Sequence, residues 1–252
     1  MRRTTTPHRR LAGALVLGAA LLATGCSAPG ASSSDSADGT KAGPINFAVI
    51  DAQSGQFSSL GHWEHNGVQL AVDEQNADGG VCGRKLTLTQ FDDQGDPTTG
   101  TTLAQKVATG DFTAVFGSAN SGVSLAMIPI LGQAQLPEMT SGQSPKLEAT
   151  GSPFMFLNSP TSTTFDTTLA KYAVSTKGFS QIAMITNNGA YGSGEHDAFL
   201  AALKDLGVAP VADEVVTPDQ KDFSAALTSI RQQNPDALFI GAEEVESGLI
   251  AK

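Results

Sequence analysis

Two stretches of this sequence follow one pattern: RKLTLTQFDDQGDPTTGTTLAQKVATGDFTAVFG and APVADEVVTPDQKDFSAALTSIRQQNPDALFIG. Each opens on a run rich in β-branched residues, passes through an acidic loop, enters a segment of helical periodicity and leaves on a second apolar run. Strand, helix, strand over some thirty residues is the span of a βαβ unit, and its strands lie parallel. Two such units in one chain point to two similar α/β lobes rather than to a bundle or a sandwich. The likeness is one of architecture, and common ancestry does not follow from it.

The rest of the chain from residue 43 onward alternates in the same way. Strands are predicted over 45–51, 85–92, 113–117, 154–157, 181–186, 209–216 and 237–240. Helical periodicity covers 68–75, a segment to about 108, 128–133, 165–176, 195–206 and 223–233. Asp96-Pro97 supplies an N-cap followed by proline at the first helical position. Near-continuous apolar strands between helices mean parallel sheets covered on both faces, joined by right-handed crossovers. The first lobe is expected to span 44–144 and the second 145–252. A crevice between such lobes, at the carboxyl ends of the strands, is where open parallel sheets hold ligands.

The first residues set the compartment. Arg2, Arg3, Arg9 and Arg10 precede an apolar run over 11–23, and small residues lead to Cys26. That order is a secretory signal, shorter than the ~18–20 apolar residues of a membrane span. Leu22-Ala23-Thr24-Gly25-Cys26 resembles the lipobox of bacterial lipoproteins, which makes Cys26 the expected lipidation site, residues 1–25 the signal peptide and the product membrane-tethered. Residues 26–43 are Ser, Ala, Gly and Asp with almost no large apolar side chain, a composition that gives a flexible tether. Cys82 is then left without a partner and reads as a small filler in GGVCG, so no staple is expected. The net charge of −10 becomes more negative without the signal arginines, which argues against nucleic acid as a partner.

Several chemistries fail on spacing. Gly192 and Gly194 begin a dinucleotide fingerprint between strand and helix, but its third glycine falls on Asp197. Glu195 and Asp197 then read as acids serving the helix start. His62 and His65 lie three apart without a third ligand, and Asp92, Asp93 and Asp96 fail the later positions of a calcium loop. There is no G-x-S-x-G, P-loop or C-x-x-C, so no catalysis, metal or cofactor is expected. What remains is a pair of small-residue loops, Gly117-Ser118-Ala119-Asn120-Ser121-Gly122 and Thr140-Ser141-Gly142-Gln143-Ser144-Pro145, each after a strand. Free backbone N–H groups there suit a carboxylate as well as a plain N-cap. Two such loops together favour an anion seat.

At these residues the chain resembles the branched-chain amino-acid-binding (leucine/isoleucine/valine-binding) proteins, the solute receptors of ABC importers. The resemblance rests on SGQFSSLG, NGVQLAVDEQNADGGVCGRKLTL, FDDQGDP, AVFGSANSGVS, ITNNGAYGSG, KDFSAALTSIRQQNPDALFIG and GLIAK, in that order. It implies a type I periplasmic-binding-protein fold of two Rossmann-like lobes closing on one small ligand, a monomer serving an ABC permease. It also implies that Ser121 and Ser144 hold the ligand's α-carboxylate, with Gly142 giving backbone contact, Asn120 alongside and Tyr191 lining the cleft from the second lobe. Leu60 stands where the family often has an aromatic residue, and Glu243 where branched-chain binders commonly have tyrosine. Glu243 reads equally as a partner for a ligand ammonium or as a solvated acid at a helix start. Family members continue well past Lys252, so the second lobe is expected to be incomplete and the fragment to bind poorly alone. A sensory module of the same fold is the alternative reading.

Overall fold

A computed structural model describes residues 43–252; the expected signal, lipidation site and tether lie outside the described residues. The elements run β1 (Ile45–Asp51), α1 (Ser58–Ala77), β2 (Leu86–Asp92), α2 (Pro97–Ala108), β3 (Ala114–Phe116), α3 (Ser121–Gln133), β4 (Glu138–Thr140), α4 (Pro145–Ala149) and β5 (Met155–Leu157). They continue through α5 (Ser162–Lys171), a π-turn (Tyr172–Thr176), β6 (Ile182–Asn187), α6 (Ala190–Asp205), β7 (Ala212–Val216), α7 (Ser224–Gln232), β8 (Ala237–Gly241) and α8 (Glu244–Ala251). All strand pairs between these elements are parallel.

Two sheets form, with orders β2-β1-β3-β4-β5 and β7-β6-β8. The two patterned stretches occupy equivalent places: β2 and β3 flank β1 as β7 and β8 flank β6. The central strand of each lobe is its most apolar. Every residue of β6 is buried, and alternate side chains feed opposite faces, as the two-residue period of a strand requires. Ile182 and Met184 meet Ala170, Phe199, Leu203 and Phe239, with the Phe199 and Phe239 rings stacked at 3.9 Å. Ala183 and Ile185 meet Val216, Phe223, Ile230 and Ile250 on the other face. In the first lobe Ala48 and Ile50 pack with Val115 against Ala104 and Val107 of α2 and Val123, Met127 and Leu131 of α3. By contrast β2 alternates burial along LTLTQFD, as an edge strand does.

Helix starts follow local chemistry. Asp96 caps α2 by accepting from the Thr99 N–H at 2.7 Å, with Pro97 at the first position, as expected. Asn120 caps α3, accepting from the N–H groups of Gly122 (2.9 Å) and Val123 (3.2 Å).

The expected boundary at 144/145 moves. β5 pairs with β4 through Glu138↔Met155 and Thr140↔Leu157, so the first sheet extends through residue 157. The second lobe begins with α5, which packs on α6 with Ala170 in the second lobe's core. Helix α6 also begins five residues earlier than the predicted 195. Glu195 therefore stands in its second turn and is buried, and does not serve the helix start.

Candidate ligand-binding cleft

A cleft of about 360 Å³ separates the two sheets, lined by Leu60, Ala119, Ser141, Gln143, Tyr191, Ala242, Glu243 and Glu244. Ala119 follows β3, Ser141 and Gln143 follow β4, Tyr191 follows β6, and Ala242 to Glu244 follow β8. Each of these segments leaves the carboxyl end of a parallel strand, so the fold converges loops from both lobes on one place. The lobes also touch across it: the Ser59 hydroxyl of α1 donates to the Glu244 carboxylate at the start of α8.

The first-lobe wall is a network of short polar side chains. Thr140 Oγ1 donates to the Ser118 carbonyl at 2.7 Å and accepts from Ser124 Oγ (2.9 Å) and from the Gly142 N–H (2.9 Å). Ser121 Oγ accepts from the N–H groups of Gln143 (3.1 Å) and Ser144 (3.2 Å), which ties the two small-residue loops together. Gly142 has no room for a side chain, since a Cβ there would lie 2.9 Å from Leu147 Cδ1 and 3.2 Å from Ser121 Oγ.

Behind this wall lie acids. Asp51, the last residue of β1, accepts through Oδ1 from the N–H groups of Ala52 (2.9 Å) and Ala119 (3.2 Å) and, at 3.4 Å, from the Ser118 hydroxyl. Glu64 of α1 accepts from the Ser141 hydroxyl and meets Asp51. Burial raises Asp51 to about 7, with the Glu64 charge adding to it, and burial raises Glu64 as well. Burial also raises Asp93 to about 6 and Glu138 to about 8.

The second-lobe wall is built differently, from one large ring and carboxylates. Tyr191 stands in the first turn of α6, and Gly192 beside it admits the close approach of Asn187, whose carbonyl oxygen would lie 2.4 Å from a Cβ. Gly189, at the N-cap, has φ −68, so the turn into α6 needs no left-handed glycine; space is what the site requires. Burial raises Glu243 to about 7, with Glu246 and Glu195 adding repulsion, and pushes the Tyr191 hydroxyl upward. Glu195 accepts from the Ser162 hydroxyl, and neighbouring Asp166 is raised to about 8 by burial and then by the Glu195 charge. Fully buried Glu246 holds this region in place. It accepts from Asn187 Nδ2 (2.6 Å), the Asp219 N–H (2.8 Å) and, at 3.4 Å, the Glu243 N–H.

Of the expected contact residues, Leu60, Tyr191 and Glu243 line the cleft. Asn120, Ser121, Gly142 and Ser144 build the wall behind it. The N–H groups of Gly122, Val123, Gly142, Gln143 and Ser144 are taken by Asn120, Thr140 and Ser121 side chains, so the loops are not a row of free donors as expected. Ser121 keeps its own O–H free to donate. The Ser144 hydroxyl is buried beneath α6 without a hydrogen-bond partner among the described residues, and a Cβ on Gly194 would lie 3.2 Å from it. Sequence reasoning missed Asp51, Glu64, Glu195 and Asp166. Glu64 was legible only as part of HWEH, where the histidines drew the attention; His62 is exposed and His65 partly buried on α1.

The sequence and the overall fold resemble those of known binding proteins. The chain is 32% identical to the Leu/Ile/Val-binding protein BraC3 of Rhizobium johnstonii and 29% identical to the Leu/Ile/Val-binding protein of Escherichia coli, each over 82% of this chain and 57% of the relative. The chain thus spans a little over half the length of the curated relatives it matches. The branched-chain amino acid transporter substrate-binding protein LivJ of Streptococcus pneumoniae, solved with isoleucine, superposes with a TM-score of 0.73 at 25% identity, over 78% of this chain and 56% of that one. The family model described as periplasmic binding protein matches residues 44–246, and the chain belongs to that family.

Proposed function

We propose that this chain forms the capturing cleft of an extracytoplasmic solute receptor that takes a small amino acid, of branched-chain type or a related amide, and delivers it to an ABC permease. The observation that carries this reading is the two-sided cleft, with small hydroxyl and backbone groups on the first lobe and Tyr191, Glu243 and Glu244 on the second. A zwitterion fits such a cleft in one direction. Its carboxylate faces the small first-lobe wall at Ala119, Ser141 and Gln143, with Ser121 behind it, and its ammonium meets Glu243. The charge-assisted pair forms as the lobes close and water leaves. The names of the relatives and the isoleucine in the LivJ structure support the ligand class.

The activity is binding without catalysis: ligand contacts made only in the closed state shift the population toward closure. The receptor acts as a monomer, held to the membrane through lipid on Cys26. Among the described residues no helix is long and apolar enough to cross a membrane. A calorimetric screen of leucine, isoleucine, valine and their amides tests the reading. Saturable 1:1 heat with at least one of them is expected; no heat with any would overturn it.

A further inference from the structure

Four carboxyl groups lie behind the first-lobe wall, and among the described residues none of them makes an ion pair. They come from separate elements: Asp51 from the end of β1, Glu64 from α1, Asp93 from the loop after β2 and Glu138 from β4. Two touch the ligand-facing loops directly. Asp51 Oδ1 gathers the Ala119 N–H and the Ser118 hydroxyl, and Glu64 takes the Ser141 hydroxyl. Ala119 and Ser141 both line the cleft. Among the described residues the buried Asp51 Oδ2 receives no N–H or hydroxyl, and the Asp51 and Glu64 carboxyls lie within hydrogen-bond reach of each other. Two carboxylates in contact cannot both be ionised without repulsion, and a proton held between them turns that repulsion into a hydrogen bond.

We propose that Asp51 and Glu64 are positioning residues that join the two ligand-facing loops of the first lobe through one shared proton, so that the loops hold an anionic ligand group only while the pair keeps it. Losing the proton does two things at once. It drives the two carboxylates apart, and with them the Ser118–Ala119 and Ser141 segments. It also places a second negative charge behind the wall, where among the described residues neither carboxyl makes an ion pair. Asp93 and Glu138 are tied to the pair: besides burial, the Asp93 charge raises Glu64, the Asp51 charge raises Asp93 and the Glu64 charge raises Glu138. The sign of the first-lobe contribution is therefore fixed, and Glu243 on the facing wall, raised to about 7 by burial, contributes with the opposite sign because it must be ionised to meet an ammonium. With Glu243 replaced by Gln, affinity is highest in mild acid and falls as pH rises through the range where Asp51 titrates, about 7.

This inference about affinity rests on the proposed amino-acid reading, whereas the joining of the loops does not, and the two are tested separately. In the ligand-free chain, 15N and 13C NMR from pH 5 to 9 is expected to show the Ala119 and Ser141 amides moving with the Asp51 and Glu64 carboxyls at one common midpoint. Glu64→Gln and Asp51→Asn each keep an acceptor for the loop and supply a fixed donor to the partner acid. Either variant should abolish that common transition while leaving the amide spectrum native-like. Loops that titrate separately, or a transition that survives in both variants, would overturn the proposal whatever the ligand. Calorimetry with leucine then reads the consequence. With one linked proton, affinity in Glu243→Gln is expected to fall about tenfold between pH 6 and pH 8. Adding Glu64→Gln to that variant should hold affinity near its pH 6 value throughout, whereas adding Glu64→Ala should leave it weak at every pH. Parallel pH profiles in Glu243→Gln with and without Glu64→Gln would contradict the inference. Absence of heat at every pH would instead count against the amino-acid reading, with the NMR result still deciding the coupling.

Discussion

The two lobes share a strand order and little else at the cleft. The first lobe presents backbone and small hydroxyls, and keeps its acids one layer back as acceptors for its own loops. The second lobe brings acids forward, with Glu243 and Glu244 on the cleft surface beside Tyr191. Equivalent β-x-β frames thus carry their acids at different depths, one layer back in the first lobe and on the cleft surface in the second. The lesson is that the frame supplies converging strand ends, and the residues just past each strand decide which end of a polar ligand meets which lobe.

The comparison breaks most directly at Ser121. Its hydroxyl accepts two buried N–H groups, and an unsatisfied buried donor costs ~1–3 kcal/mol. Ser121→Ala should lower stability by about 2 kcal/mol or more in urea unfolding and abolish ligand binding; a stability loss below about 0.5 kcal/mol would mean the loops are not tied through this residue. Tyr191→Ala tests the other wall. Affinity should drop by about 2 kcal/mol, the scale of a central aromatic contact, with the unfolding midpoint nearly unchanged because the ring lies at the cleft rather than in a core cluster. Glu243→Gln removes one charge and keeps the shape. Calorimetry should show about 1–2 kcal/mol less affinity for a zwitterion, and unchanged affinity would make Glu243 a helix-start acid only.

A smaller effect separates the lobes from the denatured chain. Asp51, Asp93, Glu138, Asp166 and Glu243 all titrate well above their unfolded values. Folded protein therefore binds more protons than unfolded protein across this range, so the stability these groups contribute is full below about pH 4 and is lost as pH rises from there through about 6 to 8. Exposed Asp96 and Asp222, held below the usual range by hydrogen bonds to Thr99 and Ser224, act oppositely and only in stronger acid. Thermal unfolding should occur several degrees higher at pH 5.5 than at pH 8. The smallest effect belongs to Ser59→Ala, which removes the hydroxyl that reaches Glu244 across the cleft. It should shift ligand affinity by roughly 0.5 kcal/mol, the value of an exposed polar contact, and leave urea unfolding unchanged.

Much of the fold could be read from periodicity. β6 announced itself as six consecutive buried residues, and Asp96-Pro97 marked α2 to the residue. The lobe boundary could not be read, because β5 is three residues long and nothing local says which sheet a strand of that length joins; only its register with β4 does. The start of α6 was hidden by Gly189, Gly192 and Gly194, which suggest a loop by propensity. In the fold two of them sit within the helix, where Asn187 and Pro145 leave no space for a Cβ. The site was legible in part. The family resemblance pointed to Tyr191 and Glu243, whereas Asp51 and Glu64 come from β1 and α1 and meet only in three dimensions.

The central claim is the polarity of the cleft, carboxylate toward the first lobe and ammonium toward the second. It is tested most directly by isothermal titration of the chain with leucine, leucinamide and N-acetylleucine at pH 6. The account predicts saturable binding of leucine that is weakened when the carboxylate is masked and weakened again, but now insensitively to Glu243→Gln, when the ammonium is masked. Equal affinity for all three ligands, or a Glu243→Gln penalty that persists with N-acetylleucine, would contradict it.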